Sequence, residues 1–293
     1  MSSGAGDEPA RRDGSWRRSV AAMNTPATTR QIWSALAGIA LAAPALLGAT
    51  AASAAPRESL EYDALGDSYA SGYGVPPYSP CGQSEAAYAV QLDGRMKIAL
   101  DDFAACAGAT TATLVSGGQL DALDADTDLV TVTIGGNDIR WGTAVGACLT
   151  RSDAECAAAT AFVRGLISTA LPGLLDVVYT QIAAEAPAAH VVVVGYPRIF
   201  SPEYGDYLNA SVPEQMAMND GAEQLNAVIA SVSAGHGFQF VDVTRKFAGH
   251  GVNAPEPYIT GPFDPAGGLH PNAGGYEAYT ASVTSQIVPA RLK

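Results

Sequence analysis

The sequence predicts an α/β fold: a parallel sheet covered by helices on both faces. Two observations carry that expectation. From residue 55 onward, apolar segments of four to seven residues rich in Val and Ile alternate with longer stretches of helical period. Gly and Pro punctuation falls between these segments, as in GYGVPPYSPCG at 72–82 and GPFDPAGGLHPNAGG at 261–275. Composition agrees, because 48% hydrophobic and 15% charged residues suit a chain with a buried core and not a disordered, collagen-like or coiled-coil one.

Taken in order, strands are expected at 60–65, 102–105, 129–134, 191–194 and 238–243. The segments LVTVTI at 129–134 and VVVV at 191–194 are short, apolar and β-branched, as strands buried on both faces should be. Helices are expected at 86–100, 154–170, 172–185, 214–234 and 273–287, where apolar residues recur at helical spacing. No repeat, low-complexity tract or linker interrupts residues 55–293, so they are assigned to one domain. In an open α/β sheet ligands bind beyond the carboxyl ends of the strands, and candidate chemistry belongs there.

Residues 1–54 have a different purpose. An apolar run at 32–47 follows Arg30 and precedes small residues ending in Ala52-Ser53-Ala54. This is the anatomy of a secretory signal peptide, with cleavage expected after Ala54. The run includes Pro44 and is shorter than the roughly 20 apolar residues that span a bilayer, so no stable membrane anchor is expected. The segment upstream of Met23 is long for a signal, and Met23 is an alternative start. The precursor carries net charge −13; losing five arginines and three acids with residues 1–54 leaves 11 basic against 26 acidic groups, or −15. Only Lys97, Lys246 and Lys293 are lysines, so the chain offers no phosphate-tracking surface and nucleic acid is excluded as a partner. A monomer is expected.

The cysteines are Cys81, Cys106, Cys148 and Cys156. An even number in an exported chain points to disulfides. Of the three possible pairings, Cys81 with Cys106 and Cys148 with Cys156 is favoured, because the second pair closes a short loop inside one polar segment. The spacing lacks C-x-x-C, and His190, His236 and His250 show no metal-ligand pattern, so neither metal nor cofactor is expected.

Four segments carry the chemistry. Gly66-Asp67-Ser68-Tyr69 follows the first strand and presents Ser68 on a tight turn at a helix start, a position suited to a nucleophile. Thr133-Ile134-Gly135-Gly136-Asn137-Asp138 follows the third, and its glycines let the Asn137 amide turn back over the sheet as a neutral donor. Gly108, after the second strand, can bring its backbone N–H close to an acyl group. His270, on a loop before the closing helix, has the proton affinity of a general base near neutrality. Singly, each is more readily a turn, a helix cap or a surface histidine. Tyr69, Tyr73 and Tyr78 are candidates to line an acyl or alcohol pocket, or simply to pack.

Together and in this order, GDSYASG at 66–72, TIGGNDI at 133–139, GYPRIF at 195–200 and LHPN at 269–272 resemble the SGNH hydrolases, also called GDSL esterases and lipases, in their secreted actinobacterial form. The resemblance covers nearly all of residues 55–293. It implies a three-layer flavodoxin-like fold with five parallel strands and a carboxylic ester hydrolase acting through an acyl-enzyme on Ser68. It implies His270 as base and an oxyanion hole made by the Ser68 N–H, the Gly108 N–H and the Asn137 amide. Two departures stand out. The family usually places Asp three residues before the catalytic His, where this chain has Gly267. The resemblance then implies a Ser-His dyad oriented by the Gly267 backbone carbonyl, with Asp264 as the alternative acid. Relatives often have a third disulfide, which this chain lacks the cysteines to make, so the loop at 252–258 is expected to be less tightly held. Expected substrates are small-molecule, lipid or acylated-glycan esters. The rivals are a polysaccharide deacetylase and a non-catalytic binding module that kept the fold.

Overall fold

The computed structural model describes residues 59–287; the expected signal segment and its cleavage site lie outside them. The strands are β1 (Leu60–Gly66), β2 (Ile98–Phe103), β3 (Leu129–Thr133), β4 (His190–Val194) and β5 (Gln239–Val241). They form one all-parallel sheet in the order β2-β1-β3-β4-β5. Helices α1 (Ser68–Ser71), α2 (Tyr88–Leu92), α3 (Thr111–Ser116), α4 (Trp141–Thr150), α5 (Asp153–Thr169), α6 (Leu171–Glu185), α7 (Val212–Gly235) and α8 (Ala273–Gln286) flank it. This is the doubly wound arrangement the sequence predicts.

The central strands are buried because they are apolar throughout: β3 is covered along its whole length, and all four valines of β4 are buried. Two pairs of polar side chains on and beside these strands meet each other. Tyr62 and Thr131 hydroxyls lie 2.6 Å apart, and Tyr88 and Thr133 hydroxyls 3.0 Å apart. The two longest helices begin with capping boxes, Ser152 with Glu155 for α5 and Ser211 with Glu214 for α7.

Several expectations change. The helix expected at 86–100 is helical only over α2, and the strand expected at 102–105 starts earlier, at Ile98. Gly94, Met96 and Lys97 all take positive φ and turn the chain, after which Ile98 is buried and pairs with Leu60. β5 is shorter than 238–243, because Asp242 caps the next turn by accepting from the Thr244 N–H at 2.8 Å. Helices α3 and α4 were not expected. The loop at 252–258 lacks a bridge but is fastened in other ways. The Val252 N–H donates to the Ile199 carbonyl and the Tyr258 N–H to that of His250, each at 2.8 Å, and the His250 and Tyr258 rings stack at 3.8 Å.

Candidate active site

β1 and β3 lie side by side, yet their outgoing connections lead to opposite flanks of the sheet. A crevice forms where the strand order reverses in this way. Gly66 ends β1 with φ +134°, and a Cβ there would stand 2.4 Å from the Thr133 carbonyl oxygen, so only glycine lets the two strand ends approach. The Asp67 N–H then donates to the Thr133 carbonyl at 2.9 Å, locking the first turn to β3. Asp67 caps α1 by accepting from the Tyr69 N–H at 2.9 Å, which leaves Ser68 as the first helical residue.

The fold brings Ser68, Gly108, Asn137 and His270 to one cleft, with Tyr73, Tyr78 and Trp141 among its walls. Ser68 Oγ and His270 Nε2 are 2.8 Å apart across 202 residues of chain. His270 Nδ1 lies 2.8 Å from the Gly268 carbonyl oxygen. A carbonyl can only accept, so the neutral ring carries its proton on Nδ1 and turns the Nε2 lone pair toward the Ser68 hydroxyl. Burial holds the imidazole below its ordinary value, partly offset by the Gly268 and Gly267 carbonyls. It is therefore neutral, and able to accept a proton, at neutral pH.

The carbonyl that meets Nδ1 at 2.8 Å is that of Gly268, one residue beyond the expected Gly267; the Gly267 carbonyl accepts the Thr260 hydroxyl at 2.6 Å and also favours the ring's proton. Asp264 is exposed and accepts the Ala266 N–H at 2.8 Å, a turn contact that leaves it no part at the ring. An acid at position 267 would not fit. The backbone there has φ +135°, and a Cβ would stand 2.8 Å from the Tyr73 ring. The loop is steadied instead by Thr260, whose hydroxyl also accepts the His270 N–H at 3.1 Å, and by Tyr69, whose hydroxyl donates to the Leu269 carbonyl at 2.7 Å.

Opposite the histidine, Asn137 Nδ2 donates to the Ala109 carbonyl at 2.9 Å. One amide hydrogen fixes the side chain and the second stays available. Among the described residues nothing accepts from the Ser68 or Gly108 N–H, and Gly108, at φ +83°, has open space where a Cβ would be. A residue that sequence reasoning missed ties the two turns together. Tyr196 donates from its hydroxyl to Asp67 Oδ2 at 2.6 Å and accepts the Gly136 N–H at 3.0 Å. It follows Gly195 at the end of β4, where the strand-end rule would have found it. Burial pushes the Asp67 carboxyl up to about 7, against the hydrogen bonds from Tyr196 and the Tyr69 backbone.

The expected disulfides Cys81–Cys106 and Cys148–Cys156 are both formed. The first stands at the cleft, since Cys81 lines it beside Gly108. The second joins α4 to α5.

A doubly wound sheet that gathers a serine, a neutral imidazole and backbone and amide donors at its switch point is an arrangement suited to hydrolysis. Comparison gives the family. The model of the GDSL-like lipase/acylhydrolase family matches residues 64–278, and the chain belongs to that family. It is 38% identical to a lipase of Streptomyces rimosus over 237 residues, covering 79% of this chain and 88% of the relative. It is 38% identical to lipase 1 of Streptomyces coelicolor over 231 residues, covering 76% and 85%. Among solved structures it is similar to the extracellular lipase of Streptomyces rimosus, with TM-score 0.74 and 35% identity over 78% of this chain and all of that one. Phospholipase A1 of Streptomyces albidoflavus gives TM-score 0.73 and 34% identity with the same coverage. The protein is an ester-bond hydrolase.

Proposed function

We propose that the protein is a secreted carboxylic ester hydrolase that acts through an acyl-enzyme on Ser68. The observation that carries this reading is the 2.8 Å contact between Ser68 Oγ and an imidazole whose other nitrogen is held by the Gly268 carbonyl. His270 Nε2 takes the hydroxyl proton as Oγ attacks the ester carbonyl carbon. The oxyanion is received by the Ser68 N–H, the Gly108 N–H and the free Asn137 amide hydrogen, each contributing on the order of 3 kcal/mol in such sites. The imidazolium returns its proton to the leaving alcohol. Water then repeats the sequence on the acyl-enzyme and releases the acid.

The substrate class is a lipid or small-molecule acyl ester, in keeping with relatives that are a lipase and a phospholipase A1. Residues 1–54 act as the export signal, and the product is a monomer without a membrane anchor. One relative is described as extracellular, which supports export.

The test is labelling and hydrolysis together. Purified protein should react with a fluorophosphonate probe at Ser68 and cleave p-nitrophenyl butyrate, and Ser68→Ala should lower kcat/KM by on the order of 10³-fold or more. Hydrolysis by the variant at the wild-type rate rules the reading out.

A further inference from the structure

The turn that carries Ser68 and the loop that carries His270 are joined by one side chain. Tyr69 follows the serine directly, and its hydroxyl donates to the Leu269 carbonyl at 2.7 Å, across 200 residues of chain. That carbonyl belongs to the same peptide group as the His270 N–H. The other edge of this group is held too, because the His270 N–H donates to the Thr260 hydroxyl at 3.1 Å. The peptide plane from which the imidazole hangs is thus fastened on both sides, once from the serine's own helix.

Holding this plane matters because of what precedes it. Leu269 has φ +62°, a left-handed conformation that is unfavourable for leucine. This turn brings the Gly268 carbonyl back to within 2.8 Å of Nδ1 on the ring two residues later. An unusual backbone angle persists only where its surroundings over-determine it. Here the Leu269 N–H donates to the Thr260 carbonyl at 3.2 Å, and the Leu269 carbonyl accepts the Tyr69 hydroxyl. The tyrosine is itself well fixed. It is 3% exposed, its N–H donates to Asp67 Oδ1 at 2.9 Å, and its ring centre lies 5.1 Å from that of His270 and 5.3 Å from that of Tyr196. Burial raises the phenol far above its ordinary value, so it remains a donor wherever the fold persists. Its hydroxyl is committed to the loop and not to the cleft.

Resting on the Ser68 reading above, we propose that Tyr69 is a positioning residue that fixes the tautomer of His270. By holding the Leu269 carbonyl it keeps the Gly268 carbonyl on Nδ1, and the ring proton stays there. The Nε2 lone pair then faces the Ser68 hydroxyl. Without the phenolic oxygen, the Leu269 carbonyl loses its side-chain partner and the peptide turns to find another. The Nδ1 proton then loses its nearest acceptor. In the Nε2–H form that follows, no lone pair is left to take the proton from Ser68. The hydroxyl of Tyr69 makes no contact with the substrate in this account, so its loss falls on kcat.

Tyr69→Phe keeps the ring and removes only the oxygen. On p-nitrophenyl butyrate, kcat should fall by about fivefold or more while KM stays within about twofold; a smaller fall, or a loss carried by KM, overturns the proposal. Tyr62→Phe is the control for general loosening, because it removes an equally buried hydroxyl, the partner of Thr131 in the sheet. It should lower the melting temperature and leave kcat unchanged; an equal loss of kcat in both variants overturns the proposal. Nitrogen-15 spectra of histidine-labelled protein, with His270 assigned by its absence from His270→Ala, read the tautomer without turnover. The wild type should carry its proton on Nδ1 at neutral pH, and Tyr69→Phe should show a mixture with the Nε2–H form. A wild type in the Nε2–H form overturns the proposal whether or not the variant folds, and so does an unchanged tautomer in Tyr69→Phe. Fluorophosphonate labelling separates the two readings. If Ser68 is labelled as fast in Tyr69→Phe as in the wild type, the role of Tyr69 falls and the catalytic reading stands. Absence of labelling in the wild type sinks the catalytic reading itself.

Discussion

Position 267 shows how one residue shapes the site. With φ +135° and the Tyr73 ring against it, it admits glycine and leaves no place for a carboxylate, and the imidazole is held by a main-chain oxygen one residue later. Asp264→Asn should accordingly keep kcat/KM within about twofold, whereas His270→Ala should lower it by on the order of 10³-fold. Comparable losses in the two variants, measured on p-nitrophenyl butyrate, would return the orienting role to Asp264. Asp67 makes a second prediction. Its folded value, about 7, lies above the ordinary 3.8. The folded state therefore binds its proton more tightly, and the resulting stability is complete below about pH 3.8 and lost as pH rises through about 7. Melting temperatures from pH 5 to 9 should fall more steeply in the wild type than in Asp67→Asn; parallel curves would show that Asp67 does not titrate in this range. Ser68, Gly108, Asn137 and His270 were legible because each follows a strand end or precedes the closing helix. Which carbonyl reaches the ring was not, since that depends on backbone angles such as Leu269 at φ +62° that no residue type reveals.

At the level of elements, β3 and β4 were legible because apolar, β-branched runs have few alternatives. The stretch around α2 was misread because its alanines and leucines suit a helix, while the turn through Met96 and Lys97 puts two non-glycine residues in the left-handed region. α4 escaped notice for the opposite reason. Gly142 and Gly146 lower its helix propensity, and its conformation comes from buried Ala144, Val145, Cys148 and Leu149 and from the bridge to α5. Replacing both Cys148 and Cys156 by Ser should therefore cost about 2–3 kcal/mol of unfolding free energy, as a short closed loop implies. Denaturant titration checks this, and an unchanged midpoint would mean that packing alone holds α4.

For the whole molecule, the strand order decides where chemistry can occur. Reversal between β1 and β3 opens the crevice, Gly66 lets the two strand ends meet, and Tyr196 spans the turns that leave them. The fold class, and with it the location of the site, could be read from alternation and punctuation alone. The Gly268 carbonyl has a last consequence. A side-chain acid can be deleted by a single codon change, but a peptide oxygen is common to all twenty amino acids. The loop can thus vary in composition without losing its acceptor, provided the chain still follows the same path. Selection on this segment acts on shape, and inactivating changes should cluster where an added Cβ or a stiffened backbone bends that path.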